Sequence, residues 1–228
     1  MKEIIRTTAD LAAACAVAKE RGVLALDTEF VWMRTYRPQL GLVQLGAGRD
    51  AVWAVDCLTG LDPAPLKALI EDGAVVKILH DARQDLTLVH HYTGALPRNV
   101  FDTQLAAAFA DHPSGMGLQK LLMEELDVGL AKTETRTDWM QRPLSEAQVG
   151  YALDDVRYLP ELREALLARA GAFGTGAWLA EELGSLEDGG QFADPEPSEQ
   201  WKRIRLRRGT QLDRSGFAVL RAVAAARE

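Results

Sequence analysis

Residues 22–30 of the chain read GVLALDTEF: a glycine, four apolar residues, two carboxylates one residue apart and a phenylalanine. As a strand over 23–30 the run is buried at its start. The two-residue alternation of a strand then puts Asp27 and Glu29 on one face and Thr28 on the other. Two acids on one patch repel unless they share a cation, and the repulsion raises a pKa. The pair is therefore a candidate metal or acid–base site. Taken alone, it is accounted for equally well by a strand running out into solvent.

Two further pieces have spacings that allow them to join it. Residues 75–80, VVKILH, form a second short apolar strand, followed by DARQD at 81–85 and a helical pattern over 82–91. Asp81 with Gln84 three residues on has the form of an N-terminal capping box. That explains Asp81 structurally and leaves Asp85 one turn into the helix, projecting back over the strand ends. The plain alternative for Asp85 is a solvated first-turn acid favoured by the helix dipole. Residues 145–148, SEAQ, are again a capping box, and in the helix they open Tyr151 and Asp155 lie four apart on one face, with Tyr158 a turn further along. Here the alternative is a surface Tyr–Asp pair.

In order and approximate separation, Asp27, Glu29, Asp85, Tyr151 and Asp155 together resemble the DEDD superfamily of 3′–5′ exonucleases, in its tyrosine-bearing subclass. The ribonuclease D family is similar over a wider set of stretches: LDTEF at 26–30, TYRPQLGLVQL at 35–45, FDTQL at 101–105, ETRTDW at 134–139 and RPLS at 142–145. These cover residues 24–160. The resemblance implies two divalent ions, Mg²⁺ or Mn²⁺, held by Asp27, Glu29, Asp85 and Asp155. Asp27 would bridge both ions, Glu29 and Asp155 would complete the first, and Asp85 would act on the second directly or through water. Tyr151 would orient the attacking water, which suits a phenol protonated at neutral pH. An all-oxygen ligand set fits hard cations, and neither a His pair nor a cysteine pair with metal-site spacing competes with it. Cys15 and Cys57 read as reduced core residues, and His80, a lone histidine at a strand end, stays outside the set.

Along the chain, a helix over 8–21 stopped by Gly22 precedes strands at 23–30, 40–46 and 51–56, an antiparallel meander by their short connections. A helix from Pro63 to Pro65 onward, the strand 75–80, the helix 82–91, a strand near Val100 and Phe101, and helices at about 103–110, 117–126 and 145–169 follow. Pro160 should kink or interrupt the last of these. A meander followed by βα units is an α/β order, and the family resemblance implies a ribonuclease H-like fold with a mixed sheet flanked by helices. Residues 1–183 are expected as the exonuclease domain and 184–200, rich in Gly, Pro and acids, as a linker. Residues 201–228 are expected as a basic helical extension with one amphipathic helix over 212–227. In ribonuclease D relatives a helical RNA-binding domain, shared with RecQ-type helicases, begins at about this point, so the segment reads as its truncated start.

The 228 residues, 47% of them apolar, suit one medium domain and an appendage. No stretch reaches the ~18–20 apolar residues of a membrane span. The start, MKEIIR, has no secretory apolar segment, so a cytoplasmic location without an obligate protein partner is expected. Net charge is −7, against a polyanionic partner, but residues 201–228 hold eight basic and two acidic residues, a balance of +6 that leaves −13 for residues 1–200. The basic run 202–208 is a phosphate-contact candidate, with a solvated helix face as its alternative. Phe30, with Trp32 or Tyr36, is a candidate for stacking on terminal bases, and Lys132 and Arg136 for holding phosphates. The expected substrate is RNA with free 3′-OH ends, trimmed to nucleoside 5′-monophosphates as in maturation of tRNA or other stable RNA. A 3′–5′ DNA exonuclease is the second reading, since no residue detects the 2′-OH. A silent nucleic-acid-binding module is the third, although loss of activity usually shows as replaced ligands and all five positions are filled.

Overall fold

A computed structural model describes residues 3–32, 37–130, 137–192, 197–207 and 210–226. Among the described residues six strands form one mixed sheet in the order β1-β4-β3-β2-β5-β6. Strands β2 (Val23–Val31), β3 (Gln39–Gly46) and β4 (Val52–Asp56) make the antiparallel meander. On one side of it β5 (Val76–Leu79) and β6 (Val100–Asp102) run parallel to β2 and to each other. On the other side β1 (Ile4–Ile5) adds parallel to β4. Two residues are too few to show an alternation, so β1 has no signature in the sequence.

Helix α1 (Thr8–Arg21) begins at an N-cap threonine, Thr7, whose hydroxyl accepts from Asp10 N–H, and stops at Gly22 in the left-handed conformation. Helices α2 (Ala64–Ile70), α3 (Ala82–Thr93), α4 (Thr103–Phe109) and α5 (Leu118–Leu126) follow. The expected helix over 145–169 is two: α6 (Glu146–Arg157) and α7 (Leu159–Ala172), parted at Tyr158. Pro160 stands in the first turn of α7, where its missing N–H costs nothing, and its ring cannot be accommodated inside a continuous helix. Helix α8 (Gly176–Gly184), framed by glycines and short, is an addition to the expected elements.

Alternation gives the sheet two working faces. Ala25, Leu42, Ala54, Ile78 and Phe101 pack under α6 and α7, against Ala152, Leu153, Val156, Leu162 and Leu166, all essentially without solvent exposure. Thr28 lies on the opposite face, where α3 packs on β2. Because β2 and β5 are parallel, both end at the same edge of the sheet, and α3 starts directly beyond β5. Ligand sites of open α/β sheets form at this carboxyl edge.

The chain divides into two compact units, residues 1–188 and 189–228. The stretch 184–200, expected as a linker, carries 3-10 turns at Ser185–Glu187, Gly189–Phe192 and Pro197–Arg203. In the second unit α9 (Arg214–Ala226) packs on the last of these turns: Phe217 meets the Trp201 ring edge-on at 5.9 Å, with Arg221 6.0 Å above that ring. A lone amphipathic helix thus finds part of its cover locally, while Val219 and Val223 stay exposed.

Candidate metal centre

Each of Asp27, Glu29 and Asp155 offers a carboxylate oxygen, and the three oxygens lie within 4.8 Å of one another. Two come from β2 and one from α6, helix and strand being locked by apolar packing beneath them. The ladder between β2 and β3 slips by one residue between Glu29 and Phe30, a bulge that re-aims side chains directly after the acid pair. Asp155 is placed by α6, whose start is the expected capping box: Ser145 Oγ accepts from Gln148 N–H and Gln148 Oε1 accepts from Ser145 N–H.

Asp85 reaches the same edge from the other face. It is buried, and the Thr28 hydroxyl donates to its carboxylate. It is not one of the three converging acids, although its charge acts on Asp27. Thr28, set on the far side of the strand by the alternation, is thus the tether of the fourth acid, a role its position in the sequence does not reveal.

The expected Asp81 capping box does not form. Asp81 is in the left-handed conformation and its side chain caps nothing. The start of α3 is held from the neighbouring strand, where Asp102 accepts from Asp81 N–H at 3.1 Å and Ala82 N–H at 2.9 Å. The same carboxylate caps α4 through Gln104 N–H and Leu105 N–H. A tertiary acceptor displaces the local one because it serves two helix starts at once. The FDTQL stretch carries this residue, and its role becomes visible only once β5 and β6 are adjacent.

Tyr151, one turn before Asp155, stacks on Trp139 with ring centroids 6.2 Å apart. Trp139 is pinned by Arg142, which donates to the Trp139 carbonyl (2.8 Å) and the Gly41 carbonyl (3.0 Å) and grips Asp56 with two nitrogens (2.7 and 3.0 Å). Gly41 is obligatory, since a Cβ there would stand 2.5 Å from the Trp139 carbonyl oxygen. Asp56, Gly41 and Arg142 therefore position the phenol from a distance. Arg142 lies in the RPLS stretch, but its partners Asp56 and Gly41 are 86 and 101 residues away in sequence.

Electrostatically the cluster is under stress. Burial, then the neighbouring acids, holds Asp27 well above the usual carboxylate range. Burial and then Asp155 and Asp85 push Glu29 to about 8, and burial foremost raises Asp85 and Asp155 to about 7. The Tyr151 phenol is raised by burial and by Asp155, Glu29 and Asp27, so it keeps its proton at neutral pH. Crowded acids of this kind with only oxygen donors fit hard divalent cations. Asp27, Glu29, Asp155 and Tyr151 are all partly exposed, so the cluster is open to solvent on one side.

Of the proposed substrate contacts, Phe30 is half-buried beyond the bulge and Trp32 is exposed. Lys132, Arg136 and Tyr36 lie outside the described residues. His80 is tied to Thr103 Oγ1 through Nδ1 at 2.9 Å, a packing role.

A mixed sheet with acids from one strand and two helices at one edge defines a class of nuclease, and the sequence comparison bears on that class directly. The 3′–5′ exonuclease family matches residues 2–170, and the chain belongs to that family, whose members depend on divalent metal. Within it the likeness runs to ribonuclease D. The ribonuclease D of Desulfotalea psychrophila is 41% identical over 227 residues, which is 100% of this chain and 60% of that protein. The crystal structure of Escherichia coli RNase D, described as an exoribonuclease involved in structured RNA processing, superposes with a TM-score of 0.85 at 34% identity, over 100% of this chain and 60% of that one. Brucella melitensis NrnC with bound Mg²⁺ matches with a TM-score of 0.64 at 28% identity, over 73% of this chain and 82% of that one. The chain thus spans about three-fifths of the length of the ribonuclease D relatives it matches.

Proposed function

We propose that this chain is a metal-dependent 3′–5′ exoribonuclease that removes nucleoside 5′-monophosphates from RNA with a free 3′-OH. The convergence of Asp27, Glu29 and Asp155 beside a protonated Tyr151 carries the reading. Supporting it are the family membership, the likeness to ribonuclease D and the Mg²⁺ bound by the Brucella relative.

In this reading Asp27, Glu29 and Asp155, with Asp85, would hold two divalent ions, Mg²⁺ or Mn²⁺. Bound there, the ions supply a water of lowered pKa and charge stabilisation for the leaving 3′ oxygen. Asp85, which the Thr28 hydroxyl holds in the metal-free fold, would support the second ion directly or through water. Tyr151 keeps its phenolic proton and orients the attacking water, a positioning task for which Trp139 fixes the ring. Phe30 stacks on the terminal base, and Lys132 and Arg136 hold the backbone phosphates. The natural substrates are tRNA precursors or other stable RNA 3′ ends, in the cytoplasm. Residues 1–183 carry the chemistry, and the basic segment 201–228 adds phosphate affinity as the start of an RNA-binding domain. No described helix is long and apolar enough to cross a membrane.

The deciding assay uses 5′-labelled single-stranded RNA and DNA, each with 3′-OH or 3′-phosphate ends, in Mg²⁺, Mn²⁺ or EDTA. The expected result is a ladder shortening from the 3′ end, dependent on metal and on a free 3′-OH, and faster on RNA. Faster shortening of DNA would replace the substrate, and no shortening in either metal would remove the enzymatic reading.

A further inference from the structure

Gln44 is wholly buried in the middle of β3, and among the described residues neither its Nε2 nor its Oε1 has a hydrogen-bond partner. An unpaired buried amide carries the full desolvation penalty of both atoms, which an apolar side chain of similar size would avoid. Its place in the sheet gives it a use. Gln44 is the register partner of Asp27 on one side and of Ala54 on the other. Directly opposed residues of an antiparallel ladder present their side chains on the same face, about 4.5–5.5 Å apart at Cβ.

The row around it confirms which face this is. Gly46, two residues on, would place a Cβ 2.9 Å from the Val156 carbonyl oxygen and 3.2 Å from the Ala25 Cβ, so α6 closes over this side of β3. Leu42, Gly46 and Ala54 surround Gln44 with apolar or absent side chains. The acid opposite it, Asp27, is the polar group of that row, and Asp155 descends onto it from α6.

We propose that Gln44 is a positioning residue for the metal site: its amide N–H donates to the Asp27 carboxylate, directly after a rotamer change or through one buried water. The donor fixes the carboxylate plane so that its remaining lone pairs face the cations, and the same bond satisfies the amide. The assignment rests on the metal-site reading above. Outer partners that orient a ligating side chain contribute about 10–100-fold in metal affinity or activity.

The test is Mn²⁺ binding by titration calorimetry to the wild-type chain, Gln44→Met and Gln44→Leu, with thermal unfolding of each in EDTA. Both variants should melt in EDTA at or above the wild-type temperature, because in the metal-free fold the amide has no partner to lose, yet bind Mn²⁺ on the order of 10-fold or more weakly, because the bond to Asp27 that forms with the metal is gone. A merely space-filling glutamine would leave the affinity unchanged, and that result would overturn the assignment. Loss of fold in both variants without metal would overturn it too, by showing that the amide already holds the metal-free fold together. A wild-type chain that binds no Mn²⁺ would instead bring down the metal-site reading, an outcome distinct from either.

Discussion

At the scale of the residue, the centre is a set of acids that the metal-free fold keeps at a cost. Asp27→Asn removes the shared ligand and one of the repelling charges together. Metal-dependent shortening of RNA should vanish while the melting temperature in EDTA holds or rises; retained full activity would sink the metal-site reading. The titration has a definite sign. Glu29 at about 8 and Asp85 and Asp155 at about 7 lie above the ~4 of an unfolded chain. Their contribution is fully favourable below that unfolded value and is lost as pH rises through about 7 to 8, because the unfolded chain gives up those protons first. Thermal melts in EDTA between pH 5 and pH 8 should therefore show falling stability. The gain in melting temperature on adding Mg²⁺ should grow over the same span, since cations bind the ionised acids. A flat profile in EDTA would contradict the burial described for these groups. Tyr151→Phe keeps the Trp139 stack and loses only the hydroxyl, so the rate should drop by about 10²–10⁴ with metal affinity nearly unchanged. An unaltered rate would exclude the phenol from the mechanism.

At the scale of the element, placement of the acids depends on a few side chains that make no claim on the chemistry. Asp102 closes the starts of α3 and α4 with four backbone N–H groups. Asp102→Ala should cost about 2 kcal/mol, twice the ~1 typical of a single capping residue, read as a lower urea midpoint with an unchanged slope. It should lower activity as well, because α3 carries Asp85. A loss confined to ~1 kcal/mol would mean that one of the two helix starts has another acceptor. The capping box of α6 is a contrasting case. Ser145 and Gln148 lie in one helical turn, so their pairing is legible in the sequence and forms as read. Asp81 and Gln84 have the same form, yet the nearby Asp102 carboxylate wins the N–H groups and Asp81 turns left-handed.

At the scale of the whole molecule, the charge is unevenly divided along the chain. Residues 1–200 carry −13 and residues 201–228 carry +6, and Arg205 and Arg207 are exposed. Replacing both with Gln should weaken RNA binding at low salt. It should also reduce the slope of log affinity against log salt by about 1–2, the number of phosphate contacts removed. An identical slope would show that these arginines touch no phosphate, and the solvated-face reading of the segment would stand.

The amino-acid sequence by itself determined the strands and helices whose signals are local: the meander, the βα alternation, the Gly22 stop, the interruption at Pro160 and the capping box of α6. Periodicity and capping act within a few residues, so they survive without the fold. The order and spacing of Asp27, Glu29, Asp85, Tyr151 and Asp155 were legible too, through the family resemblance. Only the tertiary structure decided which acids converge and which one Thr28 holds apart, that Asp102 and not Asp81 caps α3, that Arg142 and Asp56 pin the tryptophan behind the phenol, and that Gln44 lies unpartnered across from Asp27. Each of these depends on strand register or on contacts between residues far apart in the chain, and neither leaves a periodic trace for a reader of the sequence to find.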